Sequence, residues 1–161
     1  MNYRPKKVAV LGSGVMGSGI ACHLANVGMD VIMLDIVTPK LSDNDSKSNF
    51  HRNKLVNSAL QKTIKSKPAP LYHKSFTSRI KTGNFEDDFD KISESDWIIE
   101  VVVENLEIKK QIFEKVDKHR KSGSLVSSNT SSIPISLLAQ DCSDDFKSCF
   151  CGTRFFNPVR Y

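Results

Sequence analysis

Three glycines and an aspartate carry the first chemical signal. Leu11-Gly12-Ser13-Gly14-Val15-Met16-Gly17 fits the spacing G-x-G-x-x-G, and Asp35 closes the next apolar run. The spacing alone is weak, because three glycines so placed recur in many turns. The setting makes it stronger: a strand-like run before it, a helical pattern after it, and an acid at the end of the following strand. Gly12 permits the tight turn, and Gly14 lets a pyrophosphate approach the backbone without a Cβ in the way. Gly17 lets the helix pack closely on the strand. Ser13, Val15 and Met16 complete a loop whose unpaired N–H groups, at a helix N-terminus, favour phosphate. Asp35 can accept hydrogen bonds from the hydroxyls of an adenosine ribose. A 2′-phosphate there would meet a like charge worth about 4 kcal/mol gross at an intermediate dielectric. Ile36 and Val37 follow, so no arginine reverses that preference. The expected cofactor is NAD rather than NADP.

Such a loop needs a frame. Lys7 to Leu11 reads as a buried strand, Ile20, Leu24 and Val27 recur at helical spacing, and Gly28 supplies a helix end. Val31 to Leu34 resumes the strand pattern, and strand, loop, helix and strand in about thirty residues imply parallel pairing. Pro39 to Ser48 reads as irregular. Asn53 to Ile64 is expected to be helical with Leu55, Ala59 and Leu60 on one side, and Leu71 to Ser78 as a second short helix. Further strands are expected at Ile80 to Thr82, Trp97 to Val103, from Leu125 onward, and Ser148 to Phe156. Asn105 can cap a helix with an Ile108, Ile112 and Val116 stripe, and Pro134 suits the first turn of another. The alternation predicts an α/β, Rossmann-type, doubly wound and mainly parallel sheet with a helical excursion after the second strand.

The bulk properties fit one domain over residues 1–161, with 39% hydrophobic and 25% charged residues. No apolar run approaches the roughly 18 residues of a membrane span, and residues 1–7 lack the pattern of a signal peptide. A cytoplasmic protein is the expectation. The formal charge of +5 is unevenly spread: Ser46 to Phe85 contains no Asp or Glu but nine Lys and Arg. A one-signed field suggests an anionic partner, although a solvated basic face remains open. Nucleic acid is not expected, because no aromatic residues are interleaved in a recognised module. Glu86, Asp87, Asp88 and Asp90 gather in an expected surface loop. Cys149 and Cys151 would share one strand face, but no CxxC pair or nearby histidine completes a ligand set, so no metal site is expected.

The run GSGVMGSGIA, the segment IEVVVENLEIKKQIFEKVD, the run SSNTSSIPI and the ending GTRFFNPVRY together resemble the L-3-hydroxyacyl-CoA dehydrogenases, in the form found in multidomain fatty-acid β-oxidation proteins. The resemblance spans nearly the whole chain. It implies oxidation of L-3-hydroxyacyl-CoA to 3-ketoacyl-CoA with hydride passing from C3 to NAD. It further implies that Glu104 and Lys109 contact NAD, that Asn129 and Ser131 lie beside the nicotinamide and the reacting oxygen, and that Asn157 orients the catalytic base. The helical excursion, about 48–79, matches an arm contacting coenzyme A, with Ser58 and Lys65 as contacts. On residue type alone, Glu104 could equally be a solvated acid, and Ser127 to Ser132 ordinary turn residues. None of His23, His51, His73 and His119 sits in a motif that could supply a base.

Two departures stand against full activity. The family's histidine immediately before FFNP is here Arg154, which stays protonated and offers no acceptor. Losing such a base commonly costs about 10²- to 10⁴-fold in rate. The resemblance also implies a following helical domain that closes the acyl site and forms the usual oligomer, and the sequence ends at Tyr161 before it. The chain is therefore expected to be inactive or weakly active alone. The alternative is a non-catalytic NAD-binding module of a larger protein.

Overall fold

A computed structural model describes residues 4–159; residues 1–3 and 160–161, which include the end of the NPVRY run, lie outside it. Six parallel strands stand in the order β3-β2-β1-β4-β5-β6. They are β1 (Lys7–Leu11), β2 (Asp30–Asp35), β3 (Ile80–Asn84), β4 (Trp97–Glu100), β5 (Leu125–Ser128) and β6 (Phe150–Gly152). The order reverses between β1 and β4, the doubly wound arrangement in which ligands bind beyond the strands' carboxyl ends.

The alternation of side chains along β1 divides the core in two. Val8 and Val10 face one layer with Ile20 and Leu24 of α1 (Val15–Asn26). Ala9 and Leu11 face the other, with Ile112, Phe113 and Val116 of α4 (Leu106–His119). The first layer also takes Val56 and Leu60 of α3 (Lys54–Ile64), which follows the single-turn α2 (Asn49–Arg52). The second takes Leu138 of α5 (Ile135–Leu138) and Phe146 of α6 (Asp144–Ser148).

Several boundaries differ from the sequence expectation, each for a local reason. Val27 is not on the packed stripe; α1 ends at Asn26, leaving Val27 57% exposed before Gly28 turns the chain at φ +92°. On α3 Leu60 is buried as expected, but its buried companion is Val56 rather than Leu55 or Ala59, because that side of the helix joins the core layer with α1. The second arm helix is a 3₁₀ turn at Lys74–Arg79. Strand β4 stops at Glu100 rather than Val103, since the Glu100 carboxylate accepts the Val102 N–H at 2.7 Å and draws the chain out of the ladder. Ser148 ends α6 instead of starting β6, where the Ser143 hydroxyl caps the helix by accepting the Phe146 N–H. Pro134 precedes α5 as its cap. The expected loop of acids does fixed work: Arg52 pairs with Glu86 at 2.7 Å and Asp87 at 2.6 Å, tying the start of the arm to the end of β3.

Candidate functional site

The glycine loop shows why each glycine is needed. At Gly12, φ is +112° and a Cβ would lie 2.6 Å from the Val101 carbonyl oxygen of the neighbouring strand end. At Gly17 a Cβ would lie 1.9 Å from the Gly12 carbonyl oxygen, so helix and turn touch backbone to backbone. Gly14 differs: a Cβ there would meet nothing within 4 Å, and the open side is the cleft itself. The first helical hydrogen bond runs from the Ser18 N–H to the Gly14 carbonyl, and no side chain caps α1. The N–H groups of Val15 and Met16 are thus left at the cleft without an intrahelical acceptor. No acid lies in that first turn to repel phosphate. A diphosphate fits this cradle by shape and by sign.

Asp35 stands beside it. Its Oδ2 accepts from the Ser13 N–H at 2.6 Å and the Ser13 hydroxyl at 2.5 Å, while Oδ1 accepts the Ile36 N–H at 2.7 Å. The acid is therefore fixed to the loop at the end of β2, where a ribose bound along the first three strands would lie. Ile36, Val37 and Phe85 form an apolar wall beyond it. The cleft, about 850 Å³, runs from these residues past Gly12 to Gly17's loop and on to Glu104, Lys109, Asn129 and Ser131. It thus bridges both halves of the sheet at the switch point.

The second half is organised by charge. Lys109, 1% exposed, lies 2.6 Å from Glu100 Oε1 and 3.2 Å from Glu104 Oε2, and donates to the Val102 carbonyl at 3.3 Å. Glu104 Oε1 accepts from the Thr130 hydroxyl at 2.6 Å, the Ser132 hydroxyl at 2.9 Å, and the N–H groups of Ser131 and Ser132 at 3.0 and 3.1 Å. Partial burial opposes its ionisation, but these donors prevail and hold its carboxyl down at about 2. Glu104 is thus an exposed acid whose carboxylate is held by several donors. Asn129 is fixed too, its Oδ1 accepting the Phe155 N–H at 2.8 Å.

The remaining sequence-derived candidates gather elsewhere. Asn157 lines a second cleft of about 490 Å³ between α1, the end of α3 and the 157–159 segment. Lys62, Thr63 and Lys67 line it from the arm, whereas Ser58 and Lys65 are exposed outside that lining. Arg154 is exposed, its guanidinium 5.5 Å from the Phe156 ring centroid. Its peptide to Phe155 lies against Asn129, but Arg154 is not among the residues lining either cleft. His23 lines the second cleft with its Nδ1 buried and unpartnered. Among the described residues no group of three or more His, Cys, Asp or Glu could hold a metal, and the four cysteines are unpaired. No helix among them is long and apolar enough to cross a membrane.

The family model described as 3-hydroxyacyl-CoA dehydrogenase, NAD binding domain, matches residues 7–161. The chain belongs to that family. Its cofactor is NAD, in keeping with the cradle and Asp35. A Bacillus subtilis protein named probable 3-hydroxyacyl-CoA dehydrogenase is 56% identical over 100% of this chain and 21% of its own length. A Rickettsia felis protein named as a fatty acid oxidation complex trifunctional enzyme is 43% identical, again over 100% of this chain and 21% of its length. Among solved structures, (S)-3-hydroxybutyryl-CoA dehydrogenase from Ralstonia eutropha superposes with a TM-score of 0.69 at 32% identity, covering 97% of this chain and 51% of that one. The chain thus spans about a fifth of the length of these two relatives.

Two buried residues escaped the sequence reading. Glu100 hid inside the apolar run WIIEVVV, and its signal was an acid where a central strand should be apolar. Ser128, also buried, donates to Glu100 Oε2 and was indistinguishable from an ordinary turn serine.

Proposed function

We propose that this chain holds NAD for the oxidation of L-3-hydroxyacyl-CoA to 3-ketoacyl-CoA as part of a longer fatty-acid β-oxidation protein. The observation that carries the reading is the continuous cleft from Asp35 to Ser131 across the switch point. In this reading Asp35 takes the adenosine ribose, and Gly12 to Gly17 hold the diphosphate. Glu104, Asn129 and Ser131 border the second mononucleotide, with Lys109 behind them. NAD, when bound, supplies the acceptor for the hydride leaving C3.

The second cleft suits coenzyme A. Lys62 and Lys67 give it positive charge toward phosphates, and Ser58 and Lys65 extend that basic arm outward. Not all of the basic stretch is available for this. Arg52 is spent on Glu86 and Asp87, and Arg79 on the Ala25 carbonyl at 2.6 Å and the Phe76 ring.

The hydroxyl proton of the substrate needs an acceptor, and Arg154 has none. Arg154 is left with the electrostatic task of favouring a developing oxyanion, and Asn157 with orienting substrate from the second cleft. This favours the second reading, in which the chain binds NAD without completing the reaction. Titrating NADH with and without acetoacetyl-CoA, while following NADH absorbance, separates the two. Oxidation of NADH on mixing supports the dehydrogenase, slow turnover being expected. Formation of a ternary complex without absorbance loss supports the binding module.

A further inference from the structure

Glu100 is a residue whose burial demands an explanation. It is 0% exposed, sits at the end of a central strand, and pairs with a lysine that is 1% exposed. Taking both charges out of water is costly, and an apolar pair of similar volume would fold as well or better. The pair's position suggests what it does instead.

The Glu100 carboxylate reaches one loop by two routes. Through Oε2 it accepts the Ser128 hydroxyl, whose oxygen in turn accepts the Thr130 N–H at 3.2 Å. Through Oε1 it fixes Lys109 at 2.6 Å, and Lys109 fixes Glu104 at 3.2 Å. Glu104 then gathers the Thr130, Ser131 and Ser132 donors on its other oxygen. The backbone adds a third tie, the Asn129 N–H donating to the Glu100 carbonyl at 2.9 Å. The Lys109 ammonium donates to Glu100 Oε1 and to the Val102 carbonyl, and stands within ion-pair distance of Glu104 at the cleft.

We infer that Glu100 is a positioning residue for the half of the cleft that receives the second mononucleotide. It acts through Lys109 and Glu104, and through Ser128, on the 129–132 loop and leaves the adenosine half untouched. The inference rests on the NAD reading above, since Asp35, on β2, marks the adenosine end and the loop after β5 lies beyond the switch point. A charged pair suits this task better than an apolar one because each charge takes several directed hydrogen bonds, fixing a loop that few apolar contacts hold.

The test compares NADH with ADP-ribose, which has the adenosine and diphosphate but no nicotinamide. Glu100→Gln keeps the side chain's size, and Lys109 keeps Glu104 as its counter-ion. Calorimetry is expected to show NADH binding about tenfold weaker and ADP-ribose binding within about twofold of wild type. Ser128→Ala, which leaves both charges in place, should shift the same ratio by a smaller factor and serves if Glu100→Gln does not fold. Equal loss of both ligands would show a merely structural role and overturn the inference, as would no loss of either. Wild-type chain that binds neither ligand would instead remove the NAD reading, and this inference with it.

Discussion

Substituting the three loop glycines one at a time separates folding from ligand binding, because the structure gives each a different neighbour. Gly14 has φ −57° and ψ −175°, which any residue adopts, and its missing Cβ faces open space. Gly14→Ala should therefore cost the fold nothing. By restricting the unfolded chain it should add about 0.4–1 kcal/mol, or about 1–3 °C in Tm for a domain of this size. The added methyl projects where a diphosphate must approach, so NADH should bind about tenfold or more weakly. Gly17→Ala should do the reverse of this in the fold. Its Cβ would lie 1.9 Å from the Gly12 carbonyl oxygen, which neither turn nor helix can yield cheaply. Overpacking of that kind costs about 1–3 kcal/mol or more, lowering Tm by several degrees. Thermal melts followed by circular dichroism, with NADH titrations on the same samples, read both quantities. A Gly14→Ala chain that melts as low as Gly17→Ala, or that binds NADH like wild type, would refute the reasoning.

Two further outcomes follow from the second half of the cleft. Asn105 caps α4, its Oδ1 accepting the Ile108 N–H at 3.1 Å, so Asn105→Ala should cost about 1 kcal/mol and lower Tm by about 2–4 °C in a melt. Glu104 has its folded-state carboxyl held at about 2, below the ordinary value of 4.5. The stability it supplies is complete above pH 4.5 and is lost as pH falls toward 2, so urea melts over that window should be steeper in pH for wild type than for Glu104→Gln. Parallel pH profiles for the two would contradict the hydrogen bonding assigned to Glu104.

How far the sequence spoke depended on the range of the interactions. The loop of Gly12, Gly14 and Gly17, the acid at Asp35 and the Asn105 cap are local patterns, and each was readable because neighbouring residues determine it. Strand ends were less so. β4 ends where a side chain of its own competes for the Val102 N–H, and no periodicity records that competition. On α3 Leu60 was legible but Val56 was not, because packing against α1, a tertiary matter, chose that side of the helix. Which of the candidate residues share a cleft was not legible. Lys109, expected against NAD, spends its ammonium on two carboxylates and a carbonyl, and Asn157 and His23 meet in a cleft apart from Ser131. Those partners lie across the sheet, where spacing along the chain carries no information.

The central claim is that the loop after β1 and the acid ending β2 grip one dinucleotide together. Calorimetric titration of the chain with NADH and then NADPH tests it most directly, with Asp35→Ala as the companion. The account predicts heat with NADH, binding at least about tenfold weaker with NADPH, and a narrowed difference in the variant. No heat with NADH, or equal affinities in wild type, would contradict it.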